Sequence, residues 1–277
     1  MKVLSSLIGL SIVANLAAAT LSACSKSIAI KITSIYENGD TNTHHDYCEY
    51  LGDGRGITAG IAGFCTGTGD AWEVIQAYHN KTGGIDEFTP MDAKLKQYAK
   101  SESDSKVGLG NYCKVWKKLG KSDKLFRQAQ DEARDKMYLK PAQNAAKKLG
   151  LNLCITQGQL FDTSIQHGPY DDKDGMLTLI KETSAKFKAN TSGLSNSTLI
   201  INGHKVDEIV WLKKFLEVRT SHLKNPRDSA NRGGNYWAQT VYRVKSYKYA
   251  VDKKEYTWSK GSVKFLDNDG NATTVTC

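Results

Sequence analysis

The chain is poor in proline, with four in 277 residues, and it has no internal repeat and no low-complexity segment. Extended proline-rich linkers and solenoid arrays are therefore excluded. No two cysteines are spaced Cys-x-x-Cys, which argues against a zinc site. The glycine-rich segment around Gly67-Thr68-Gly69-Asp70 lacks the Gly-Lys-Ser/Thr of a phosphate loop. Beyond the first residues no apolar run is long enough to span a bilayer. What is present is ordinary for a globular protein: 40% hydrophobic and 24% charged residues, in a chain long enough for one domain with a real core.

The N-terminus has the form of a processing signal. Lys2 is followed by an apolar stretch from Leu4 to Leu16 and by Ala17-Ala18-Ala19. A signal peptide over residues 1–23 and a single domain over residues 24–277 are expected, which makes the protein secreted and extracellular. Leu21-Ser22-Ala23-Cys24 also has the form of a lipoprotein signal, so lipid anchoring through Cys24 is the alternative. Four glycosylation sequons, at Asn80, Asn190, Asn196 and Asn271, favour simple secretion. Cys24, Cys48, Cys65, Cys113, Cys154 and Cys277 suit an oxidising compartment. Their pairing is open, with at least one bridge expected outside Cys65.

The formal charge of +9 prompts a nucleic-acid reading, but the distribution opposes it. Between Glu37 and Glu73 seven acids face one base, Arg55, leaving that window at −6 and the rest of the chain at +15. An acidic island in a basic protein repels phosphate and attracts cations. No nucleic acid, membrane span, metal or cofactor is expected, and the protein is expected to be a monomer.

The periodicity predicts mostly helix. Ile28, Ile32, Ile35 and Tyr36 share one helical face, with Glu37 at its C-terminal end. The negative end of the helix dipole disfavours a carboxylate charge there, which suits a general acid. Ile57 to Phe64 reads as short strands or a hairpin, and Asp70 can cap the helix that follows. A longer helix is predicted from Ser122 to just before Pro141, then a short one ending at Gly150, and an amphipathic one from Val206 to Leu223. Arg219 lies on the apolar face of the last. Taken alone it reads as snorkelling to solvent, and otherwise it needs a carboxylate partner such as Asp162. His44 and His45 read as solvated, Trp116 as core beneath a solvated lysine face, and Asp267 to Asn271 as a polar turn.

Function concentrates at Gly52-Asp53-Gly54-Arg55-Gly56-Ile57-Thr58, which continues into Gly63-Phe64-Cys65-Thr66-Gly67-Thr68-Gly69-Asp70. Glycines are spent where backbone bends sharply or approaches something closely. Glu37 and Asp53 form a candidate acid–base pair, the arrangement that cleaves glycosidic bonds. The competing reading is two surface acids, and residue pattern alone leaves the odds even.

At these residues the chain resembles the glycoside hydrolase family 46 chitosanases. Glu37-Asn38 and Tyr47 upstream fit the family pattern. So do Gln128-Ala129-Gln130, Arg134-Asp135 and Tyr138, then Phe161-Asp162 with His167-Gly168-Pro169, and Phe215-Leu216 with Arg219. The likeness spans about Ser27 to Arg232; the loop between Glu37 and Asp53 is shorter than in bacterial members, and the tail after Tyr242 has no clear counterpart. The resemblance implies a mainly α (α+β), lysozyme-like fold of two lobes with a small β element beside the cleft. It implies endo-acting, inverting hydrolysis of chitosan, with Glu37 as general acid, Asp53 as general base and Thr58 positioning the water. Asp70 is implied to bind substrate amines, with Arg55 and His167 supporting the site. Asp162, Arg219 and Arg232 are implied to form an inner ion network. The −6 window gives a polycation its partners. The alternatives are a non-catalytic polysaccharide-binding protein, or a lysozyme- or chitinase-type hydrolase.

Overall fold

The computed structural model describes residues 20–277. The expected signal segment lies almost wholly outside them. Helix α1 (Ala23–Asn38) buries Ile28, Ile32, Ile35 and Tyr36 on one face, as the 3.6-residue period requires. Ser22 caps its start by accepting from the Ser25 N–H, and Gly39 ends it at φ +82°. The acidic segment then forms a three-stranded antiparallel sheet of β1 (Cys48–Tyr50), β2 (Ile57–Ala59) and β3 (Phe64–Cys65). Its register sets Glu49 and Cys65 on either side of Thr58.

Helices α2 (Asp70–Thr82), α3 (Asp92–Ser101), α4 (Tyr112–Ser122) and α5 (Lys124–Arg134) complete the first lobe. Its core joins Phe64, Phe88, Tyr112, Trp116 and Phe126 to the apolar sides of these helices. Trp116 is fully buried, and the lysines around it form the outer face of α4.

The expected helix end before Pro141 is not observed. α5 passes through a π-helical turn (Asp135–Leu139) into α6 (Lys140–Leu149), and Pro141 sits in the first turn of α6. The Lys140 N–H bonds the Asp135 carbonyl five residues back, so the α-helical ladder is already out of register where the proline falls, and the proline is tolerated. This continuous rod runs from one core to the other. Phe126, Ala129 and Ala133 pack in the first lobe, and Leu139, Ala142, Ala145 and Ala146 in the second.

The second lobe contains α1, α7 (Cys154–His167), α8 (Met176–Ala185), the hairpin of β4 (Thr198–Ile201) and β5 (His204–Asp207), and α9 (Glu208–Lys224). Val206 belongs to β5 rather than to the helix, because Asp207 caps α9 by accepting from the N–H groups of Ile209 and Val210. The tail is integral to this lobe. After α10 (Tyr236–Gln239), α11 (Val241–Asp252) packs on α9, and the hairpin of β6 (Ser262–Leu266) and β7 (Ala272–Thr276) returns to α1. The turn from Asp267 to Asn271 closes that hairpin.

Two disulfides, Cys24–Cys277 and Cys48–Cys113, fix the chain, while Cys65 and Cys154 are free thiols. Lipid anchoring at Cys24 is thereby contradicted, since the sulfur that would carry the lipid is bonded to Cys277. Among the described residues no helix is long and apolar enough to cross a membrane.

Candidate active site

A cleft of about 750 Å³ lies between the lobes. The end of α1 contributes Glu37 and Asn38. The sheet and its loops contribute Tyr47, Leu51, Arg55, Thr58 and Gly60 to Gly63. α7, α10 and α11 contribute Gln166, Trp237 and Arg243 among others. The glycine motif serves close approach, though to its own chain rather than to open space. At Gly56, with φ +83°, a Cβ would fall 2.3 Å from Thr66 Oγ1, and at Gly60 one would fall 2.4 Å from Gln130 Oε1. These contacts press the sheet against the core and set Thr58 at the cleft.

Glu37 stands on a buried ion network. Arg243 Nη1 donates to Glu37 Oε1 at 2.6 Å, and Arg243 Nη2 donates to Asp162 Oδ1 at 2.7 Å. Arg219 Nη1 lies 2.7 Å from Asp162 Oδ2, a close ion pair rather than an aligned hydrogen bond. Asp162 and Arg219 have no solvent exposure, so Arg219 does not snorkel. Burial pushes the Asp162 carboxyl upward, but the two guanidinium groups outweigh it and hold it below the ordinary range. For Arg219, burial together with the neighbouring Arg243 cation lowers the pKa despite Asp162. An arginine nonetheless keeps its charge. The Arg243 guanidinium also lies 5.3 Å from the centre of the Tyr36 ring.

Arg232 does not belong to this network. It is exposed in the Ser229–Asn235 turn, where it donates to the carbonyls of Pro226 and Arg227. Arg243 occupies the place expected for it. The signal for Arg243 was present in the sequence: it shares a helical face with the buried Tyr247, Ala250 and Val251, as Arg219 does with its leucines.

His167 does not line the cleft itself: it contacts Arg219 and packs edge-on against Trp237 of the cleft wall. Its Nδ1 is 2.9 Å from the Asp174 carbonyl, which can only accept, so the proton sits on Nδ1 and Nε2 receives Arg219 Nε at 3.3 Å. Burial first, and then the Arg219 cation, hold the imidazole pKa far below its ordinary value. Arg219 also donates to Gln166 Oε1, and Gln166 donates to Thr240 Oγ1 at 2.6 Å, which gives the network a second route to the cleft wall.

On the sheet side, Asp53 is clamped by Arg55. Its Oδ1 accepts from the Arg55 backbone N–H at 3.1 Å, and its Oδ2 from Nε at 3.0 Å and Nη2 at 2.6 Å. Partial burial works to raise the Asp53 pKa, but the Arg55 bonds outweigh it and hold the carboxyl low. One oxygen of Asp70 is occupied by its own chain. Its Oδ1 accepts from the Cys65 N–H at 2.7 Å, from Thr68 Oγ1 at 2.6 Å and from the Ala71 N–H at 3.0 Å. Asp70 is thus the first residue of α2, after Gly69 at the cap, and it pins the corner between β3 and α2. Burial pushes its pKa up. Of the paired histidines, His44 bonds Asp40, but His45 is 13% exposed and its carbonyl receives Trp116 Nε1 and Gln130 Nε2. It is a packing residue rather than a solvated one.

Residues 31–251 match the family model described as Glycosyl hydrolase family 46. The match runs past Arg232 through Arg243 and α11. A chitosanase of Bacillus subtilis (strain 168) is 37% identical over 244 residues, 86% of this chain and 81% of that one. A chitosanase of Streptomyces sp. (strain N174) is 35% identical over 72% of this chain and 66% of its own. Among solved structures, native chitosanase from Bacillus subtilis MY002 superposes with a TM-score of 0.78 at 34% identity, covering 93% of this chain and all of that one. The Gynuella sunshinyii GH46 chitosanase in complex with chitotetraose also gives 0.78, at 32% identity. With its mainly helical, lysozyme-like fold and this likeness over most of its length, the chain belongs to glycosyl hydrolase family 46.

Proposed function

We propose that the protein is a secreted, endo-acting chitosanase that cleaves β-1,4 links between glucosamine units with inversion. The observation that carries this reading is that Glu37, held by Arg243, lines one cleft with Thr58 and with Arg55, the residue that clamps Asp53, in a family 46 chain. A glycosidic bond needs an acid for its leaving oxygen and a base for the attacking water. Glu37, fixed by Arg243, is the acid and delivers its proton to that oxygen. Asp53, held ionised by Arg55, is the base, and Thr58 orients the water.

The charge pattern supports the substrate. Protonated amines meet the acidic window, and the basic remainder of the surface repels them. Residues 24–277 act as one two-lobed catalytic domain and as a monomer. The bridges Cys24–Cys277 and Cys48–Cys113 support export to an oxidising compartment. Release of reducing ends from highly deacetylated chitosan, chitin and peptidoglycan, assayed in parallel, tests the substrate. Chitosan is expected to be turned over far faster than the others, and it loses binding as salt screens the cleft. Equal or faster turnover of chitin or peptidoglycan overturns the assignment, and activity on none of the three leaves only a binding protein.

A further inference from the structure

Thr58 has a neighbour that the glycosidase reading leaves without a task. Antiparallel pairing of β2 and β3 sets Cys65 directly opposite Thr58, on the same face of the sheet. Thr58 Oγ1 is 3.4 Å from Cys65 Sγ, and Sγ is 3.2 Å from the Gly63 carbonyl oxygen. Both side chains are buried, Thr58 at 5% exposure and Cys65 at 1%. The thiol is in no disulfide.

The proton positions follow from what each atom can do. A carbonyl oxygen only accepts, so the thiol proton points to Gly63. The sulfur then meets Thr58 as an acceptor, and the Thr58 hydroxyl proton points to the sulfur. We propose that Cys65 is a positioning residue that sets the polarity of Thr58, turning its hydroxyl proton inward so that its oxygen lone pairs face the attacking water. This rests on the reading of Asp53 and Thr58 given above.

The attacking water has two protons and must present a lone pair to the anomeric carbon. With Thr58 as acceptor, one water proton goes to Asp53 and the other to Thr58 Oγ1, and a lone pair is left for the carbon. With Thr58 as donor, its proton would take one of the water's two lone pairs and draw electron density from the other, which makes the water a poorer nucleophile and leaves one of its protons unheld. Burial, the largest influence on the Cys65 thiol, pushes its pKa up and keeps the thiol protonated, so the Gly63 bond that fixes the arrangement persists.

The test compares kcat and KM on chitosan for the wild type, Cys65→Ser, Cys65→Ala, Cys65→Val, Thr58→Ala and the Thr58→Ala/Cys65→Ala double variant. Serine can donate to Gly63 and accept from Thr58, so it retains most of the turnover. Alanine and valine cannot accept, and each lowers kcat by about tenfold with KM unchanged, the worth of one hydrogen bond. Valine, close to cysteine in size, preserves the packing if alanine weakens the fold. In the Thr58→Ala background the Cys65→Ala change has no further effect on kcat. Wild-type kcat in Cys65→Val, or equal losses with and without Thr58, overturns the role of Cys65. Wild-type turnover in Thr58→Ala overturns the reading of Thr58 itself.

Discussion

One guanidinium joins the carboxylate of the cleft to the carboxylate of the core: Arg243 bonds Glu37 Oε1 at 2.6 Å and Asp162 Oδ1 at 2.7 Å. Asp162 is shared with Arg219, so two buried cations and two carboxylates balance as one unit. Asp162, Arg219 and Arg243 are buried, so removing one of these three leaves an uncompensated charge that burial cannot solvate, whereas Glu37 at the cleft is exposed.

Arg219→Ala and Arg243→Ala are therefore each expected to destabilise the fold by about 3–5 kcal/mol. Both also lose activity, because the support of Glu37 depends on the same atoms. Arg232→Ala, at an exposed turn, is expected to stay within about 0.5 kcal/mol of the wild type. Urea unfolding of the three variants checks the contrast. An Arg219→Ala protein that unfolds like the wild type contradicts the network.

How much of this was legible follows from where each signal resides. Arg219 and Asp162 announce themselves as charges among apolar residues within a few positions of sequence. Arg243 carried the same mark, but it lies beyond Arg232, where the recognisable motif blocks end. Arg232, to which the resemblance gives that place, is the last arginine before that limit. The end of α5 is not legible because Pro141 normally stops a helix, whereas here a π-helical turn shifts the hydrogen-bond register ahead of it. Nothing local in the sequence encodes such a shift. Disulfide pairing was illegible because Cys24 and Cys277 meet only once the tail has folded back on α1. The task of Asp70 turned on three local donors that close its Oδ1.

The bridge between Cys24 and Cys277 spans 253 residues, and that between Cys48 and Cys113 spans 65. Each restricts the unfolded chain, and removing one is expected to cost about 2–5 kcal/mol. The Cys24→Ser/Cys277→Ser protein should melt below the wild type, through release of the β6–β7 hairpin from α1. Mass spectrometry of unreduced peptides should find these two pairs, with Cys65 and Cys154 free. A different pairing would contradict the placement of the tail.

His79 provides a pH-dependent clamp in the first lobe. Its Nδ1 is 2.6 Å from Asp86 and its Nε2 is 3.0 Å from Asp92. Burial opposes the charged ring, but the two carboxylates outweigh it and raise the pKa. A raised folded-state value means that the contribution is complete below the unfolded value of about 6.5 and is lost as pH rises through the folded one. The melting-temperature advantage of the wild type over His79→Gln should therefore shrink as pH rises from the acidic side through neutrality and beyond. A constant difference across that range would show that the clamp is not charged.

The roles of Glu37 and Asp53 separate in their variants. Glu37→Gln removes the proton donor and Asp53→Asn removes the base. Both should fold normally and lose nearly all turnover. Thr58→Ala should slow the reaction less, because the base remains.

The most direct measurement is the anomeric form of the first product. An inverting pair leaves room for water between base and sugar, with its carboxyl groups about 6.5–9.5 Å apart rather than the roughly 5–5.5 Å of a retaining pair. Proton NMR recorded during the first turnovers of β-linked chitosan should show the α anomer appearing first, with β following only by mutarotation. Initial β product would contradict single displacement by a water held between Asp53 and Thr58.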